Sequence, residues 1–153
     1  MMSDQIDQLK TIVRLRKRDL ERCAHDVAAA RQAIVAAQVQ EEQAARACAD
    51  ALASRAAAMT ERLGQPCDPL VQLHCQAVSA RAEASQLLRT QAGAALAEAR
   101  ALADRLKREW LRAQARHDAM LQELERAVQS WQRQVGRRAE DEVRPAPIPA
   151  MLA

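Results

Sequence analysis

The first 63 residues of this chain contain neither proline nor glycine. The break comes at "LGQPCDPL", Leu63 to Leu70, where Gly64, Pro66, Asp68 and Pro69 crowd together. Beyond it no proline recurs before Pro145. Gly64 can take the left-handed conformation that closes a helix. Pro66 cannot continue one, because it lacks an amide hydrogen and its ring clashes with the preceding turn. Asp68 before Pro69 is a capping residue followed by a proline at the first helical position. One stretch therefore stops a helix and starts another, across a gap short enough to make the two antiparallel neighbours.

Composition fits that reading. The chain has 153 residues, and 35 of them are Ala. Ala, Arg, Glu, Gln and Leu are strong helix formers. There is no Phe or Tyr, and only Trp110 and Trp131 are aromatic. Transfer free energy follows apolar area at roughly 25 cal/mol per Å², so Ala-rich helices build a thin seam rather than a thick core. The fold class expected is all-α: a long two-helix antiparallel coiled-coil hairpin over 1–142. Its helices span about 4–63 and 69–140, its turn 64–68, and a disordered Pro-rich tail follows over 143–153. At about 1.5 Å per residue the first helix would be roughly 90 Å long.

The periodicity supports two partnered helices. Ile6, Val13, Leu20, Val27 and Ile34 recur every seven residues. The stripe then reappears as Ala45, Leu52 and Met59, which predicts a four-residue stutter after Ile34. The companion column is Leu9, Arg16, Cys23, Ala30 and Ala37, mostly small residues that admit a close partner. In the second helix His117, Leu121, Leu124, Val128, Trp131 and Val135 alternate by four and three. Val78, Leu88, Leu96 and Leu106 give a more blurred pattern, in which Gly93 marks a soft point. Folding about Pro66 sets Ile6 opposite Arg126 to Val128 and Val13 opposite Ala119 and Met120. Trp131 and Val135 then fall past the end of the first helix. Val35 and Val39 lie off the main stripe.

Charge limits the partners. The 23 basic and 20 acidic residues leave a net charge of +3, with the signs interleaved as on solvated helix faces. No run approaches the ~18 apolar residues of a membrane span. The opening "MMSDQIDQLK" has no apolar segment behind a basic start, so no cleavable secretory signal is expected. Two basic clusters stand out: Arg14, Arg16, Lys17 and Arg18, and Arg105, Arg108 and Arg112 on the second helix. The ordinary reading is a solvated face. The sharper one is a docking band for an acidic protein. Nucleic acid ranks last, because no aromatics interleave for stacking and Asp19, Glu21, Asp104 and Glu109 dilute the field. Trp131 with Val135 is the candidate exposed anchor at an interface.

Cys67, His74 and Cys75 are three possible zinc ligands without a fourth at structural spacing, so no metal or other cofactor is expected. The histidines His25, His74 and His117 gather around no nucleophile, and a two-helix hairpin offers no pocket to preorganise a transition state. The expectation is a protein that is not an enzyme.

The segment "IVRLRKRDLERCAHDVAAAR" resembles the N-terminal opening of the stalk proteins of type III secretion: an apolar pair, an alternating basic run, then an Ala-rich heptad. "RRAEDEVR" resembles the charged ending many members carry. These are the FliJ family of flagella and the YscO/HrpO-like family of injectisomes. Length and the lack of Tyr and Phe bring the chain closer to the second. The resemblance implies a non-enzymatic cytoplasmic stalk, peripheral to the secretion apparatus at the inner membrane. Its open end would enter or dock on the secretion ATPase hexamer and couple it to the export-gate protein. Some members also bind secretion chaperones. The rival readings are a chaperone escort of the same system and a generic coiled-coil scaffold.

Overall fold

A computed structural model describes residues 1–143 and contains two helices, α1 (Met2–Gly64) and α2 (Pro69–Val143), joined by residues 65–68. They pack against each other as a helical hairpin. Helix α1 starts two residues earlier than the expected residue 4, and α2 runs three residues further than expected, through Val143. The remainder of the expected tail, 144–153, lies outside the described residues. Neither helix is long and apolar enough to cross a membrane.

The turn works as its residues dictate, with one difference. Asp68 caps α2: its carboxylate Oδ1 accepts a hydrogen bond from the Leu70 amide at 2.9 Å, and its carbonyl accepts from Gln72 N at 3.1 Å. The Gln72 side-chain amide donates to the Pro66 carbonyl at 3.0 Å, tying the start of α2 back to the turn. Gly64, however, is the last residue of α1 and does not adopt the left-handed conformation. The helical bonding continues to Gln65, whose amide donates to the Glu61 carbonyl at 3.1 Å. Pro66 alone ends the helix, since it has no amide to offer the next carbonyl.

The chain divides into two compact units, Met1–Ala24 with Glu109–Ala153, and His25–Arg108. The second unit contains the turn. Its helices meet through Ala58, Val71, Cys75 and Val78, all buried. The Cys75 thiol donates to the Ala58 carbonyl at 3.1 Å. Counting outward from that bond sets Ala51 opposite Ala82, Cys48 opposite Ser85, and Ala37 opposite Leu96, and these positions are buried or half-buried. The register lies within one residue of that expected from folding about Pro66.

The predicted stutter is absent. Covered positions on α1 run Val27, Ala30, Ile34, Ala37, Glu41, Ala44, Cys48, Ala51, Arg55 and Ala58 in unbroken three-four alternation. Met59 is exposed and Leu52 only half-buried. Seven of the twelve buried apolar residues are Ala or Cys. Such residues let the backbones approach closely, and around Ala51 and Ala58 small side chains fill the seam.

One stretch of this seam is poor. The same count sets Ala44 opposite Arg89, which is exposed, and Glu41 opposite Ala92, next to Gly93. A surface groove of about 510 Å³ opens there, between Gln40, Ala44 and Ala47 on α1 and Ser85, Leu88 and Ala92 on α2. Leu88, expected in the seam, is exposed on its rim.

Candidate partner-binding surface

The first unit holds the N-terminal part of α1 and the C-terminal part of α2. Its covered positions include Ile6, Leu9, Val13, Arg16, Leu20 and Cys23 on α1, and Trp110, Ala113, His117, Met120, Leu121, Leu124, Ala127 and Val128 on α2, while Trp131 and Val135 of the expected stripe are exposed. Otherwise the sequence pattern holds: the companion column is inward, and His117 sits in the seam with its side chain 16% exposed. Its Nδ1 lies 3.6 Å from Asp118 Oδ1.

The basic residues divide by environment. Arg14, Lys17 and Arg18 are exposed on α1, and Arg112 on α2. Arg16 is different. It occupies a seam position and is half-buried, a setting that suits a side chain with an apolar stem and a charged head. Arg105 and Arg108 are exposed in the other unit. The local pairs involving other charges join Arg22 to Asp19 at 3.7 Å and Arg126 to Glu123 at 3.4 Å, each within one helix. Exposed pairs of this kind contribute about 0–1 kcal/mol. Among the described residues no ion pair links Arg14, Lys17, Arg18 or Arg112 to an acidic side chain, so these cations are available to an external anion.

Trp131 is 41% exposed, but it does not lie past the end of α1. It lines a groove of about 300 Å³ together with Ser3, Ile6, Asp7, Lys10 and Val128. The first two turns of α1 therefore reach the indole. Val135, by contrast, is exposed, as is every described residue from Trp131 to Val143. The sequence reading missed Ser3, Asp7 and Lys10 as neighbours of Trp131, because it began α1 at residue 4 and paired the helices about one residue short. Helix α1 begins at Met2, two residues before the expected start.

No family model, no curated protein and no solved structure matches this chain.

Proposed function

We propose that the protein is a non-enzymatic cytoplasmic stalk of a type III secretion system, docking on the secretion ATPase and linking it to the export gate. The observation that carries this reading is the composition of the first unit. It joins the N-terminal 24 residues to α2 from Glu109 onward, and it presents Arg14, Lys17, Arg18 and Arg112 unpaired and exposed. A unit with exposed cations on both of its helices can contact acidic loops of a ring without one fixed register, because long Arg and Lys side chains adapt and long-range attraction needs no exact fit. The likeness of "IVRLRKRDLERCAHDVAAAR" to the opening of the FliJ and YscO/HrpO-like families supports the same reading. The exposed Trp131 groove and Val135 favour a second one, an escort for secretion chaperones.

The test is hydrolysis of ATP by the cognate secretion ATPase. Adding the protein is expected to raise the rate. The triple variant Arg14→Glu, Lys17→Glu, Arg18→Glu is expected to remove that rise while circular dichroism keeps its helical signal. Arg16 is left untouched, since its seam position would confound binding with folding. An unchanged rate with the wild-type protein would refute the stalk. Capture of a chaperone that Trp131→Ala weakens, with no effect on hydrolysis, would favour the escort.

A further inference from the structure

Helix α2 carries a second heptad stripe on the face turned away from α1. In the unit that holds the turn, Leu70, Leu73, Ala77, Ala80, Ala84 and Leu87 follow one another at alternating intervals of three and four. All six are exposed. Leu70 is 74%, Leu73 61% and Leu87 60% exposed. At 100° per residue this stripe lies on the order of 150° around the helix from Val71, Cys75, Val78 and Ala82, which face α1. Apolarity is not general to the segment: the residues just after the buried Val71, Cys75, Val78 and Ala82 and the half-buried Ser85 are Gln72, Gln76, Ser79, Glu83 and Gln86. Three-four alternation sustained over six positions is the pattern of a helix with a partner. The seam with α1 does not account for it.

We propose that this stripe is a homodimer interface, on which a second copy of the chain docks α2 against α2 in antiparallel fashion. The stripe is self-complementary in size. With a two-fold axis between Ala77 and Ala80, Leu70 meets Leu87 of the partner subunit and Leu73 meets Ala84 of the partner subunit. Ala77 meets Ala80 of the partner subunit. Each layer then pairs the two alternating heptad positions with each other, as antiparallel packing of two such stripes requires. The Ala layers at the centre let the backbones approach, and the Leu layers close both ends. An interface of this kind is isologous, so it closes at two copies.

Charge also favours a second copy. From Asp68 to Arg89 the segment carries two acidic residues, Asp68 and Glu83, and two basic ones, Arg81 and Arg89. Two copies therefore meet without net repulsion, whereas a strongly acidic or basic partner gains nothing from it. The leucines and alanines of both copies would bury on the order of 1,000 Å² in total, at the lower edge of a specific interface. A dimer that dissociates in the micromolar range follows. None of this rests on the secretion reading, because it concerns the unit that holds the turn and needs no ATPase.

Sedimentation velocity of the full chain across the micromolar range tests it. The expected result is a concentration-dependent species at twice the 16.9 kDa chain mass. Leu73→Glu with Leu87→Glu should weaken the dimer by about tenfold or more, with helical content unchanged. Val35→Glu with Val39→Glu, two exposed valines on α1, should leave it intact. Should the leucine variant lose helix, a second variant decides: Ala77→Cys with Ala80→Cys, in a Cys67→Ser background, should form disulfide-linked dimers under mild oxidation. A wild-type chain that stays monomeric throughout overturns the proposal. So does a dimer that survives loss of both leucines, a cysteine variant that does not cross-link, or a stripe that binds only a helix from another protein.

Discussion

Gly64 and Gly93 show how little a glycine's identity says until its backbone is known. Next to Pro66, Gly64 reads as a left-handed helix cap, and an alanine there would then be strained. In the structure it has no left-handed φ, and an added Cβ would meet nothing within 4 Å. The same space surrounds Gly93, inside α2. Both sites therefore reward a residue that loses less backbone entropy on folding. Gly64→Ala and Gly93→Ala are each expected to stabilise the protein by about 0.5–1 kcal/mol, measured as a higher urea midpoint. A lower midpoint for Gly64→Ala would mean that the residue does act as a left-handed cap. Asp68 is the residue that matters at this turn, through its bond to the Leu70 amide. Asp68→Ala should cost about 1 kcal/mol by the same measurement.

Within the elements, the seam rewards small residues more than hydrophobicity alone would rank them. The hairpin, its turn and its register were legible because Pro66, Asp68 and Pro69 act through local sterics and capping, which need no knowledge of tertiary contacts. The inward column of Arg16, Cys23, Ala30 and Ala37 was legible too, since heptad spacing carried it. The far half of α1 was not. Leu52 and Met59 outrank Ala51 and Ala58 on any apolar scale, yet Ala51 and Ala58 are buried, because the Cys75–Ala58 contact sets the spacing of the backbones. The Trp131 groove was hidden for a similar reason, as a one-residue error in register decides whether the first turn of α1 reaches the indole. Arg89 is the clearest local conflict: the register count gives it a seam position opposite Ala44, yet it is exposed. Arg89→Leu should place an apolar side chain at that seam position, next to Leu88 of the groove rim. Full burial of Leu is worth about 1.5–3 kcal/mol, so a gain of about 1 kcal/mol is expected for a partly covered site. No rise in the urea midpoint would show that the seam is too open at residue 89 to cover a Leu.

Across the whole chain, stability must be uneven, because the seam is uneven. A layer of Ala, Cys and Val buries only modest area, and among the described residues the cross-helix hydrogen bond is that of Cys75 with Ala58. Opening free energies follow such local differences. Amide hydrogen exchange, read peptide by peptide, should therefore rank the molecule. Slowest exchange is expected on both helices around Ala58, Val71, Cys75 and Val78, where the buried cluster and the capped turn coincide. Faster exchange is expected around Glu41 to Ala44 and Arg89 to Gly93, where the seam holds a charge, small residues and a glycine. Fastest exchange should fall in 132–143, where every side chain is exposed and helix propensity is the main local support. An isolated helix of that length is marginal in water, so this segment is also where a bound partner would change exchange most. If the secretion ATPase slows exchange in 132–143 and near Arg14 to Arg18 while the Cys75 region stays unchanged, the docking end is the first unit. Slowing confined to the turn would place the partner on the second unit and would remove the argument for the basic residues.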